Sequence, residues 1–212
     1  MTCDRGVGLA PSESEERALA TAKRMAKEQR RSQLLQTALA IVRDEGTEAL
    51  TLARVAERAG VTKPIAYGHF GTRAGLLVAL FRDYDDRTTE AVRVALKAGG
   101  KTLEDVASIL SAAYVDCYLS MGPEVRAVFD ALSASKDTQK FLESWRQFLV
   151  SEFRKAFAPF VELPPRRGKA VFVGLLGAAE ALAAAANRSS RTEAVTALSH
   201  IMIGTLGGKT RD

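Results

Sequence analysis

Two cysteines, two histidines and one tryptophan in 212 residues leave little material for catalysis or metal binding. Cys3 and Cys117 lie far apart, with no CxxC or Cys/His ligand set around them. Neither a disulfide framework nor a zinc site is supported, and a reducing cytosol is the simpler setting. The histidines, His69 and His200, do not form a pair. There is no GxSxG, P-loop or GxGxxG, so the common hydrolytic and nucleotide-binding chemistries have no carrier here. No cofactor and no metal are expected. A site made of carboxylates alone would leave no mark in such a search, so an enzyme stays as the competing class, beside a helical adaptor that binds only protein.

Other absences bear on fold and location. Six prolines interrupt the chain and no useful stretch alternates polar with apolar, which favours helix over strand. The opening MTCDRGVGLAPSESEER has no apolar core of the kind a secretory signal needs. Ala170 to Ala186 is nearly uncharged, but it is short, rich in alanine and glycine, and interrupted by Glu180. A buried or interfacial helix is expected there, with no membrane partner.

What is present begins with charge. The net charge is +5, and Arg17, Lys23, Arg24, Lys27, Arg30 and Arg31 face a single acid, Glu28, across residues 17–31. That run either lies along a polyanion, adding phosphate or minor-groove contacts, or is a solvated tail.

The helical pattern then unfolds in order. Residues 1–12 show no periodicity and are expected to be unstructured; 14–29 would make a weak, alanine-rich helix. Leu34, Leu35, Ala38, Leu39 and Val42 mark a firmer helix that stops at Gly46. Thr51 reads as an N-cap before the stripe Leu52, Val55, Ala56 and Ala59. Gly60 supplies a sharp turn, Val61 plugs it, and Thr62 caps a second short helix with Pro64 in its first turn. After Thr72 comes a long helix with Leu77, Leu80, Phe81, Tyr84, Ala91 and Ala95 inward, ending at Gly99-Gly100. Thr102 with Asp105 reads as a capping box. Helices follow around Val125–Leu132 and Phe141–Phe157, then over 166–187 and 190–206, the last with Ser190 and Glu193 as a capping box. The fold expected is all-α: a three-helix helix-turn-helix domain at the N-terminus and a helical bundle behind it.

Residues 51–70 carry the chemistry. An α-helix fits the major groove of B-DNA, and a helix-turn-helix supplies one helix to brace and one to insert. On the second helix Lys63 can donate to guanine, while Thr62 and Ile65 offer apolar surface to a thymine methyl. Tyr67 and His69 can donate to phosphate, and Arg73 sits where a backbone contact suits it. The N-terminal dipoles at Thr51 and Thr62 favour phosphate as well. Short helical hairpins also occur in proteins that bind no DNA, and Tyr67 could be a core aromatic.

RRSQLLQTALAIVRDEGTEALTLARVAERAGVTKPIAYGHFGTRAGLLVALF, residues 30–81, resembles the N-terminal DNA-binding domain of the TetR family of bacterial transcriptional repressors. The resemblance implies that Thr51 caps the bracing helix and touches phosphate, that Lys63, Pro64 and Ile65 face bases, and that Tyr67, His69 and Arg73 hold the DNA backbone. Three residues depart from the pattern. Ala66 stands where a larger apolar residue is usual, Gly68 replaces something bulkier, and Gly75 weakens the next helix start. The domains implied are a basic extension, 1–29, a DNA-binding domain, 30–76, and an effector-binding and dimerisation domain, 77–212.

In that last region the resemblance carries over no contacts, and the residues are read directly. Tyr114, Cys117, Tyr118, Phe129, Trp145 and Phe148 cluster in the middle helices, as in pockets for small molecules, with Arg126, Asp116 and Gln147 as candidate polar groups; an ordinary packed core is the alternative. Helix 166–187 is apolar on both sides and needs two covers. The final helix can supply one and a second copy of the chain the other, through Leu175, Ala178, Leu182, Leu198, Ile201 and Met202. Burial within one subunit is the alternative. The function expected is a cytoplasmic bacterial homodimer that represses transcription from an inverted-repeat operator in duplex DNA and is released by a small-molecule effector.

Overall fold

The computed structural model describes residues 13–208, so the expectation for 1–12 lies outside the described residues. Among them there are nine α-helices, one 3-10 turn and no strand. In chain order the helices are α1 (Glu13–Glu45), α2 (Leu52–Arg58), α3 (Lys63–Phe70), α4 (Arg73–Gly99) and α5 (Leu103–Ser120). They continue as α6 (Pro123–Ala134), α7 (Gln139–Phe157), α8 (Pro165–Ala185) and α9 (Arg191–Gly207).

Local chemistry accounts for most of the boundaries. Thr51, Thr72 and Thr102 each accept a backbone N–H three residues on, and Asp105 closes a capping box by accepting from Thr102 N. Pro123 and Pro165 open α6 and α8 from positions where a missing N–H costs nothing. The two helices expected over 14–29 and 33–45 are one. No glycine or proline falls between Glu13 and Glu45, and good helix formers run through it. Two further expectations fail. Ser190 makes no capping box with Glu193; its hydroxyl accepts from Asn187 N instead, and Asn187 Oδ1 accepts from Ser189 N and Ser190 N. On α4 the inward row turns by one position past Tyr84: Ala91 and Ala95 are exposed, and Val92 and Leu96 pack instead.

Burial divides into two main cores. The first joins Leu34, Ala38 and Ile41 of α1 to Leu52 and Val55 of α2, Ala66 and Phe70 of α3, and Leu76, Leu77 and Leu80 of α4. It runs on into Val128 and Leu132 of α6. Ala66 is fully buried, so the short side chain brings the neighbouring helices down on α3 rather than leaving it loose. The second core gathers Val106 and Leu110 of α5, Phe153 and Phe157 of α7, Phe172, Leu175 and Leu176 of α8, and Leu198, Met202 and Leu206 of α9. Each such side chain contributes roughly 1.5–3 kcal/mol on burial. Phe81 of α4 stands at the seam, its ring 5.5 Å from Phe129, 6.0 Å from Phe141 and 5.0 Å from Trp145.

Helix α8, with a mean hydropathy of 1.5, is long and apolar enough to cross a bilayer by length and composition. Here it covers the second core with Phe172, Leu175, Leu176 and Ala179, buries Ala183 against Val115 and Ala194, and exposes Val173, Gly174 and Ala181.

Candidate functional site

The turn between α2 and α3 is built on Gly60, whose φ of +67° is one that side chains with a Cβ rarely adopt. Gln33 of α1 donates to the Ala59 carbonyl at 3.2 Å, which ties the turn to α1. Around α2, Arg54 pairs with Glu45 and Glu57, both at 3.2 Å, and Arg58 reaches Asp44 and Glu45. These are exposed pairs, worth more for orientation than for stability.

On α3 the inner face is Ala66 and Phe70, both buried. The outer face presents Thr62, Lys63, Pro64, Ile65 and Tyr67 to solvent, with Ile65 39% and Tyr67 51% exposed. Tyr67 is therefore not a core aromatic. Thr62 has the extended backbone of an N-cap but its side chain accepts no capping bond, so its hydroxyl is free for other partners. Thr51 is exposed but engaged with Arg54 N at 3.1 Å.

His69 is partly buried at the C-terminal end of α3. Its pKa is lowered, first by burial and then by Lys27 and Arg31 of α1, with Glu28 opposing. The basic stretch of α1 thus passes beside the end of α3. The Arg31 guanidinium stands 5.4 Å from the centre of the Phe70 ring, and its Nη1 is buried without a hydrogen bond.

Arg73 has a role inside the molecule. Its Nε donates to Leu50 O at 3.0 Å and its Nη2 to Thr47 O at 2.7 Å. The half-buried guanidinium staples the loop before α2 to the start of α4. Gly75, expected to weaken that helix start, is required there: a Cβ would lie 2.1 Å from Phe70 O.

Behind this domain α4, α5, α6, α7 and α8 enclose a cavity of about 510 Å³. All six expected lining residues, Tyr114, Cys117, Tyr118, Phe129, Trp145 and Phe148, border it, which is the size and aromatic character of small-molecule sites. Arg126 borders it too, held over the Tyr118 ring at 4.5 Å and bonded to Tyr118 O at 3.1 Å. Asp116 does not: it forms a bidentate pair with Arg191 of α9, which lowers its pKa, and lies on a shallower groove between α4 and α5. Gln147 is exposed outside the cavity.

Apart from Arg126, sequence reasoning missed the charged lining. Asp85, Arg93, Arg146, Glu152 and Glu180 all border the cavity. Arg93 pairs with Glu152 at 3.4 Å, and Arg146 with Glu180 at 2.8 Å. Asp85 has no ion pair among the described residues; burial raises its pKa and Asp86 adds to the rise, with the Trp145 indole and the more distant Arg82 opposing. Tyr84 donates to Cys117 O at 2.7 Å; burial and the Cys117 contact push its pKa up to about 12. The signal for Asp85 was the one-position turn of the α4 row, invisible in the run DYDD.

The candidate dimer residues fall into two groups. Leu175, Leu198 and Met202 are buried inside the subunit, because the α8–α9 contact consumes them, and this corrects their assignment to an interface. Ala178 and Leu182 are half-buried, and Ile201 is 41% exposed.

Two short helices at a glycine turn, buried on one side and polar on the other, define a helix-turn-helix protein whose bundle encloses an aromatic cavity. Residues 34–80 match the family described as bacterial regulatory proteins, tetR family. The chain is 36% identical over 74 residues to the transcriptional activator FasR of Mycolicibacterium smegmatis, covering 35% of this chain and 34% of that one. It is 31% identical over 85 residues to the transcriptional regulator BetI of Rhizobium meliloti, covering 40% and 42%. The matches thus span well under half the length of these curated relatives. The fold extends further. A transcriptional regulator structure from Pseudomonas aeruginosa superposes with a TM-score of 0.64 over 85% of this chain and 92% of that one, at 14% identity.

Proposed function

We propose that this protein is a ligand-responsive, homodimeric DNA-binding regulator of transcription in the bacterial cytoplasm. It acts as a repressor released from an inverted-repeat operator by a small molecule. The observation that carries this reading is the outer face of α3, where Thr62, Lys63, Pro64, Ile65 and Tyr67 stand free on a helix whose other side is buried. Lys63 reads a base edge; Ile65 and Pro64 contact thymine methyls; Tyr67 and Thr62 donate to phosphate. His69, neutral above its lowered pKa, donates one N–H to the backbone, and the N-terminus of α2 at Thr51 faces a phosphate. Residues 30–76 serve DNA, residues 77–212 serve ligand and partner, and 1–29 extends the basic surface.

Each subunit reads one half-site, the two α3 helices about 34–36 Å apart. The pairing surface is the outer face of α8 and α9, with Val173, Gly174, Ala178, Ala181, Leu182 and Ile201. Coupling to the cavity follows from shared elements. Phe129 borders the cavity while its neighbour Val128 packs in the first core, and Phe81 belongs to both. A ligand that moves these rings moves α4 and α6, and with them α3. It shifts the equilibrium only by its differential affinity for the two spacings.

Selection of duplexes from a random pool tests the reading. The wild-type protein should enrich an inverted repeat, and Lys63→Ala should lose roughly 1–3 kcal/mol at one base position while keeping non-specific affinity. Enrichment of no sequence, or equal loss on all sequences, would remove α3 from base reading.

A further inference from the structure

We propose that the cavity takes a lipophilic organic cation, with Asp85 as its counter-charge and the surrounding rings as its walls. The proposal rests on reading the cavity as the effector site, and deepens it.

The argument is one of unanswered charge. Two of the acids that border the cavity are taken: Glu152 by Arg93 and Glu180 by Arg146. Arg126 is fixed on the Tyr118 ring and carbonyl. Asp130 lies at the exposed rim. Asp85 is half-buried and forms no ion pair among the described residues; Arg82, exposed on the same helix and set over the Phe141 ring, acts on it only from a distance. A half-buried carboxylate without an ion-pair partner is costly, and a ligand cation lowers that cost.

The neighbours of Asp85 agree. Trp145 Nε1 is buried and completes no hydrogen bond, yet it lies near enough to Asp85 to favour the anion. It is a donor in reserve for the carboxylate that a bound cation would hold ionised. The rings of Phe81, Tyr114, Phe129, Trp145 and Phe148 border the same space, offering π-density to the charge and apolar contact to the rest of the ligand. An anion would have to displace an arginine from its present partner and would meet Asp85 unshielded. A neutral ligand would seal Asp85 from water without a counter-charge.

Tetraphenylphosphonium and tetraphenylborate have nearly the same shape and opposite charge, and the sole tryptophan, Trp145, borders the cavity and reports occupancy by fluorescence. Titrated into the full chain in sodium buffer, the cation should bind at least ~10-fold more tightly than the anion. Asp85→Asn should weaken the cation by ~10-fold and leave the anion equal or better, with helicity by circular dichroism unchanged, while Asp85→Glu keeps most of the preference. No binding of the cation, equal binding of both ions, or an unaffected Asp85→Asn variant would overturn the proposal. Retention of a selected duplex separates the two readings. A cation that binds through Asp85 without releasing DNA leaves the cation site and removes its effector role. Release by the borate alone keeps an effector cavity and removes the cation.

Discussion

Removing the guanidinium of Arg73 would leave the carbonyls of Thr47 and Leu50 without their donors and the loop before α2 untied from α4. Arg73→Ala should therefore destabilise the chain by about 2 kcal/mol, or roughly 4–8 °C in Tm by calorimetry. Arg73→Lys should recover little, because one ammonium lacks the fork that spans two carbonyls. DNA affinity measured well below the new Tm should fall by far less than it does for Lys63→Ala. Wild-type Tm in Arg73→Ala would return this residue to the DNA backbone. The staple was not legible in the sequence because its acceptors lie 23 and 26 residues back along the chain. The threonine caps were legible because their partners are three residues away.

Helix α1 changes meaning once it is a single element. A basic tail would swing freely, whereas a continuous helix anchored by Leu34, Ala38 and Ile41 holds Lys27 and Arg31 in a set place beside α3. Arg24 and Lys27 are exposed along it. The double variant Arg24→Ala/Lys27→Ala should reduce the slope of log K against log salt by ~0.9 for each phosphate that the helix no longer neutralises, with the preferred sequence unchanged. An unaltered slope would make this stretch a solvated helix end. The type and order of the helices were legible throughout. The orientation of α8 was not: with glycine or alanine on every side, periodicity could not tell the face that meets α9 from the face left outside. Leu198 and Met202 could not be assigned for the same reason, since only the actual α8–α9 packing decides which apolar side chains it uses.

For the whole molecule, the outer face of α8 offers a test that leaves the subunit intact. A Cβ added at Gly174 meets nothing within 4 Å, so Gly174→Arg fits the isolated chain but stands in the way of a second helix. The variant should keep its helicity and Tm within a few degrees and sediment as a monomer. It should lose affinity for a two-half-site duplex by orders of magnitude, since each half-site is then bound alone. Dimers of Gly174→Arg would move the pairing surface elsewhere. Helix α4 runs unbroken from Arg73, beside α3, to Gly99 and is ~40 Å long at 1.5 Å per residue. In the proposed dimer it is a lever. A swing of about 5° about its Gly99 end would carry the Arg73 end ~3.5 Å, and the symmetric copy would move the other way, so two reading heads set for 34–36 Å would part or close by ~7 Å. In the proposed dimer a fifth of a helical repeat would be lost to so small a rotation, which would give a small molecule among a few aromatic rings the mechanical advantage to empty an operator.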